Sequence, residues 1–340
     1  MRSVSLVLFA AGLVCAQTPA TTVFQVPRIA VLDFYGLHKV SENKVRQTLG
    51  AKEGDPLPSS KGATEEKLDA ISGVVESHLE AVCCEHGNPI LYVGIEEKGA
   101  PHFELRDAPE GDAMLSDELS STYRRFMDAV SAAARNGSTD EDLTEGHSRM
   151  ADPTARAVQD MFPELARTHL EELRGVLRNS ADEDQRAMAV YMIAYAPKKI
   201  DVLDDIQYAL RDADPGVRSN ATKAMIALMV LARKDSSQQL KIEPTWFIEM
   251  LNSLSWSDRN RAVQALQTLT DSGDPQVLQQ LRERALPALI EMARWKILRH
   301  ALPAYVLVGR IAGMSQEEIE RAWNRGDREA VIVAATKKKR

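Results

Sequence analysis

Cysteine is nearly absent from this 340-residue chain: Cys15 near the start and the adjacent Cys83 and Cys84 are all there is. So few, so placed, exclude a fold stapled by disulfides, which needs an even set at spaced positions. Adjacent cysteines pair only through a strained ring. Aromatic residues are scarce as well, at 5%. Past the N-terminus no window approaches the roughly 20 apolar residues of a membrane span, so stable membrane insertion is not expected. Familiar catalytic signatures are also missing: no glycine-rich phosphate loop, no nucleophile elbow, no His-Glu-x-x-His helix. The histidines His38, His78, His86, His102, His147, His169 and His300 are scattered, whereas a metal needs converging donors. No metal, no cofactor and no catalytic residue is therefore expected. A formal charge of -7 offers no basic face to neutralise phosphates and argues against nucleic acid as the main partner.

What is present begins at the N-terminus. Met1-Arg2, the apolar run Val4 to Val14 and the small-residue pattern Val14-Cys15-Ala16 read as a secretory signal peptide over residues 1–16, cleaved after Ala16. A periplasmic or secreted location follows. At the other end, residues 336–340 form a basic tail, read as a solvated terminus.

Between Arg28 and Lys98 the pattern is mixed. Ile29 to Leu37 is a β-rich run containing Gly36, and Ser41 then stands where a helix carrying Val45 and Leu49 would start. Gly50 and Gly54-Asp55-Pro56 stop that helix. Leu68, Ile71 and Val75 carry helical spacing from Glu65 to Glu76. Two strands follow, about 78–85 and 90–97, joined by the turn residues His86-Gly87-Asn88-Pro89. With the strand Ile29-Phe34 before Gly36, the helix start Val40-Ser41-Glu42-Asn43-Lys44-Val45-Arg46, the exit Gly54-Asp55-Pro56-Leu57 and the closing strand Leu91 to Glu97, this segment resembles the POTRA domain of outer-membrane assembly and secretion proteins. The resemblance implies a module that binds extended peptides by adding a strand to its sheet edge. Here it has a single copy, no following barrel, and the unusual Cys83-Cys84 pair.

Residues 99–151 are poorer in apolar residues and read as a linker with one helix, about Leu115 to Ala134, ahead of an exposed acidic break at residues 136–142. From 152 to 335 everything is helical in period. Leu210 to Met225 superimposes on Leu251 to Leu266 without a gap, at an offset of 41: Leu210 on Leu251, Arg218 on Arg259, Ala221 on Ala262, Ala224 on Ala265. Weaker copies precede (Leu177, Asp184, Arg186, Ala189) and follow (Ile290, Ala301, Ala304, Tyr305). A period in this range marks stacked helical pairs. Leu210-Arg211-Asp212-Ala213-Asp214-Pro215-Gly216-Val217-Arg218 resembles the HEAT-repeat consensus, implying an α-solenoid with a curved binding surface. The expected fold is multidomain: a small α+β module of β-α-α-β-β order, then an all-α HEAT-like solenoid.

Candidate site residues are few. Arg186, Arg218 and Arg259 are either rungs of a structural ladder or ligand contacts. Trp256 replaces the proline of the best repeat at a loop position, where an exposed tryptophan would anchor a protein partner. Trp246 and Trp295 read as core. Cys83, Cys84 and His86 are the one local group with ligand-type atoms, although alternation along a strand sends neighbouring side chains to opposite faces unless the chain bulges. Glu96-Glu97 reads as a solvated carboxylate run. The function expected is an exported, non-enzymatic scaffold or adaptor whose partners are proteins, including extended peptide segments or envelope proteins. The rivals are a redox or hydrolytic enzyme centred on Cys83, Cys84 and His86, and a self-associating structural component of the envelope.

Overall fold

Alternation along residues 31–35 sets Leu32 and Phe34 on one face and Val31, Asp33 and Tyr35 on the other. In the computed structural model, which describes residues 27–337, this run is strand β1 (Val31–Tyr35). Helices α1 (Glu42–Leu49) and α2 (Lys61–Asp69) follow, then the hairpin β2 (Val74–Glu85) and β3 (Asn88–Glu97). β3 lies central, parallel to β1 and antiparallel to β2. The helix expected to continue to Glu76 stops at Asp69. Gly73, at a φ of 98°, turns the chain where only glycine is free of strain, and Val74-Val75-Glu76 enter β2 instead. Ser41 does precede α1, but its side chain caps nothing. Residues 1–16, expected from the sequence to be a signal peptide, and residues 338–340 of the basic tail lie outside the described residues.

The rest is helical apart from a short ribbon: α3 (Asp117–Arg135), β4 (Glu141–Asp142), β5 (Arg149–Met150), α4 (Pro153–Gln159), α5 (Phe162–Thr168), α6 (Leu170–Asn179), α7 (Glu183–Ile193), α8 (Leu203–Ala209), α9 (Pro215–Lys234), α10 (Thr245–Met250), α11 (Trp256–Thr270), α12 (Pro275–Arg284), α13 (Leu286–Ala293), α14 (Leu298–Ala312), α15 (Gln316–Asn324) and α16 (Arg328–Thr336). Asp-Pro pairs start three of these. The Asp152, Asp214 and Asp274 carboxylates each accept from backbone N–H groups in the first turn, and the proline that follows presets the helical φ. The chain is thus a helix-rich mixed α/β protein.

Packing orders the helices into two rows. α7, α9, α11, α14 and α16 lie side by side in sequence, and α6, α8, α10, α13 and α15 each pack on the helix that follows them. Small residues permit the close approach: Ala221, Ala262, Ala265 and Ala301 are fully buried. α3 packs on α4 and α7, so Leu119 and Phe126 belong to the core of the array.

The sheet is buried on both faces. Leu32, Phe34, Leu91, Val93 and Ile95 pack with Val45, Leu49 and Leu68 of α1 and α2 into a core of their own. Tyr35, Ile90 and Tyr92, on the opposite face, are continuous with the core of the helical array. Among the described residues no helix is long and apolar enough to cross a membrane.

Candidate functional site

Four successive turns between paired helices line up along one ridge, and the N-terminal part of the chain covers all four. The Ala181 N–H donates to the Gly111 carbonyl, and the Arg106 N–H to the Arg211 carbonyl, both at 2.7–2.8 Å. The Tyr35 hydroxyl donates to the Leu254 carbonyl. The Lys296 N–H donates to the Asp33 carboxylate at 2.7 Å. Residues 99–116 therefore form an extended strap across the first turns, with the Arg106 guanidinium on the Tyr208 ring, and the sheet caps the remaining two. Gly94 makes the sheet contact possible, since a Cβ there would sit 2.6 Å from the Tyr35 ring and 2.7 Å from the Leu254 oxygen.

At the centre of this junction is an aromatic cluster. Tyr92 stacks on Trp256, with ring centres 5.1 Å apart and planes within 20°. Trp295 packs against Tyr35, Tyr92 and Trp256. The Tyr92 hydroxyl lies 2.7 Å from Nδ1 of His300, whose ring contacts Trp256 at 4.7 Å. Trp256 is therefore no exposed anchor. It is the first residue of α11 and 7% exposed, covered by a strand more than 160 positions earlier in the chain. Burial and the neighbouring Arg299, opposed by Glu85, push the His300 imidazole down to about 4. Burial raises the Asp33 carboxyl despite the Lys296 contact.

Polar ties frame the cluster. Glu80 of β2 accepts from the Ser255 and Ser257 hydroxyls at the start of α11, and the Gly36 N–H donates to Glu291 of α13 at 2.6 Å. Beside this contact lies a cleft of about 530 Å³, lined by Phe34, Leu37, Ile95, Leu254, Glu291 and Trp295 among others. Cys83, Cys84 and His86 do not line it.

Arg218 and Arg259, with Arg186, form a repeated unit. Each donates to the carbonyl six residues earlier, in the turn of its own pair: Arg186 to Ser180, Arg218 to Asp212, Arg259 to Ser253. Each also grips a carboxylate further along the array: Asp212 at 2.9 Å, Asp258 at 2.8 Å and Glu291 at 2.9 Å. Their side chains are at most 6% exposed. These arginines tie neighbouring pairs together and present no charge to a ligand. Glu97, expected in a solvated carboxylate run, is buried instead. It is 3% exposed and accepts from the N–H groups of His38, Lys39 and Val40. Burial alone would raise its carboxyl, but these donors outweigh it and hold the group below the usual range.

The sheet edges are mostly capped. On β1 the Leu32 N–H donates to Glu53, and Lys296 Nζ donates to the Leu32 carbonyl. On β2 the outward Leu79 N–H donates to Glu65 at 2.7 Å. Alternation turns Ala81 outward as well, and among the described residues no side chain bonds its N–H. Cys83 and Cys84 lie just beyond, where the β2–β3 register shifts, and their sulfurs are joined in a disulfide. Arg299 reaches over to the Cys84 carbonyl and the Glu85 carboxylate. The bulge removes the opposite-face objection. His86 points away, 92% exposed.

Far from the junction, Lys199 is 5% exposed. Its ammonium donates to the Ala194 carbonyl and lies 3.1 Å from His147 Nδ1. Burial pushes this amine down to about 8, and burial with Lys199 nearby pushes His147 down to about 4. Among the described residues no three His, Cys, Asp or Glu side chains converge as metal ligands would. No protein-family model, curated protein or solved structure matches the chain.

Proposed function

We propose that this protein is an exported, non-enzymatic scaffold or adaptor for other proteins, with a POTRA-like module over residues 28–98, a strap and helix over 99–151 and a HEAT-like α-solenoid over 152–335. The observation that carries the reading is the arginine unit at 186, 218 and 259. A bond pattern repeated from pair to pair supports a stacked array, and such arrays offer extended surfaces rather than enclosed catalytic sites. The strand-helix-helix-strand-strand order supports the POTRA-like part. Because the ridge of turns is already covered, the partner surfaces on this reading are the distal outer edge of β2 around Ala81 and the side of the array away from the sheet.

A photo-crosslinking residue at Val75 or Ala81, followed by mass spectrometry in the native envelope, tests the edge. One protein crosslinked from both positions, with the Val75 crosslink lost when Ala81→Pro removes the main-chain donor, is the expected result. Crosslinks that are absent, or that survive this substitution, refute strand addition there. The disulfide between Cys83 and Cys84 favours a second reading, a redox role for the hairpin tip. Alkylation of the purified chain with and without reductant tests it, and two free thiols before reduction end it.

A further inference from the structure

We infer that the strap carries an anion site, in which the guanidinium groups of Arg106, Arg178 and Arg211, gathered around Tyr208, hold a phosphate group from outside the chain. Arg106 lies half-buried on the Tyr208 ring, its guanidinium carbon 3.2 Å from the ring centre. Arg178 of α6 packs on the same ring at 4.8 Å. Arg211, whose carbonyl accepts from the Arg106 N–H, packs on Trp246 of α10 at 4.6 Å. Three cations therefore share one patch along the row of α6, α8 and α10.

The carboxylates around this patch are already committed. Asp205 is shared between Arg174 and Arg178, and Asp212 gives both oxygens to Arg186. Glu104, 80% exposed, approaches Arg211 only to 3.6 Å. Asp107, next to Arg106 in the strap, is exposed and pairs with none of the three among the described residues. Arg106 itself is, among the described residues, the one half-buried arginine whose guanidinium meets no acceptor. Arg178 Nη1 is likewise buried without an acceptor, and a charged donor taken out of water unmet keeps its desolvation penalty. Elsewhere the chain supplies the counter-charge itself, as it does for Arg186, Arg218 and Arg259. Burial disfavours the charge on Arg106, and Arg211 and Arg178 add to this, against Tyr208 and Asp212. A bound anion reverses that balance.

The unused donors select the ligand. An arginine fork carries five N–H groups, and Arg178 Nη1 adds its own. A monocarboxylate offers two oxygens in one plane, whereas a phosphate dianion offers at least three in a tetrahedral arrangement and accepts from two forks at once. Because Arg106 is only half-buried, inorganic phosphate and the phosphate of a monoester both reach it. The site concerns the contact of strap and array and is independent of the scaffold reading.

Phosphorus NMR of inorganic phosphate, and of glycerol phosphate as a monoester, titrated with the full chain at an ionic strength fixed by chloride, tests it. The expected result is saturable binding of one phosphate group per chain, with the tighter of the two probes naming its source. Arg106→Gln is expected to weaken binding about ten-fold or more, while Arg294→Ala, at the end of α13, leaves it unchanged. Since Arg106→Gln also removes the stack that pins the strap, Arg178→Gln, which keeps Arg106, is the second variant and is expected to lose a similar factor with its circular dichroism intact. No saturable binding of either probe, release of phosphate by an equal concentration of acetate, or binding unmoved in both arginine variants overturns the site.

Discussion

Replacing Arg218 by methionine tests the arginine ladder at its middle rung. Arg218 and Asp258 are 4% and 2% exposed, and the guanidinium binds both carboxylate oxygens through Nε and Nη2. Nη1 holds the Asp212 and Ala213 carbonyls at 2.8 Å. Methionine fills much of the volume but leaves a buried carboxylate whose one remaining side-chain donor among the described residues is Ser253. Breaking a buried pair from one side costs about 3–5 kcal/mol, because the stranded charge keeps its desolvation penalty. Arg294–Glu329, at 53% and 62% exposed, is the control, and an exposed pair of this kind is worth about 0–1 kcal/mol. Urea unfolding of wild type, Arg218→Met, Arg294→Ala and the double variant Arg218→Met/Asp258→Leu measures all four. The double variant is expected to recover most of the loss, since it strands no charge. If Arg218→Met costs no more than Arg294→Ala, the ladder does not hold the pairs together.

Other outcomes follow from single contacts. Gly94→Ala places a methyl against the Tyr35 ring and the Leu254 oxygen, and is expected to cost about 1–3 kcal/mol by overpacking, with increased hydrogen exchange at residues 251–255. Glu97→Gln weakens three charge-assisted bonds to the 38–40 loop and is expected to lower stability at neutral pH. In wild type that contribution fades as pH falls through the carboxylate range, because the folded-state carboxyl titrates below the unfolded one. Lys199, held near 8 when folded against 10.5, makes the wild type gain about 3 kcal/mol as pH rises from 8 to 10.5. In Lys199→Met the unfolding free energy over that window is expected to lack this gain.

Local periodicity carried much of the helical half. The 41-residue offset placed Arg218 and Arg259 at equivalent positions, and the structure gives them the same backbone acceptor, six residues back. Asp214-Pro215 signalled a helix start because cap and preset φ act within one turn. What could not be read depends on partners distant in the chain. Trp256 stands at a helix start, where a local reading expects exposure, and its cover comes from Tyr92. Glu97 follows another glutamate, and its three donors belong to a loop some sixty residues earlier. One signal pointed the right way: Tyr35 and Tyr92 fall on the face of the sheet opposite Leu32 and Leu91. Large apolar groups on both sides of a strand require a second covering layer.

The Tyr35–Leu254 bond spans 219 positions of chain. As the polypeptide is synthesised from its N-terminus, the sheet can close over α1 and α2 early, yet its tyrosine-bearing side has to wait for α11 and α14. For that interval an oily, strand-built surface faces water, the kind of species that associates with its own copies. Folding yield should therefore depend on how promptly the last third of the chain arrives, and on what shelters the early part meanwhile.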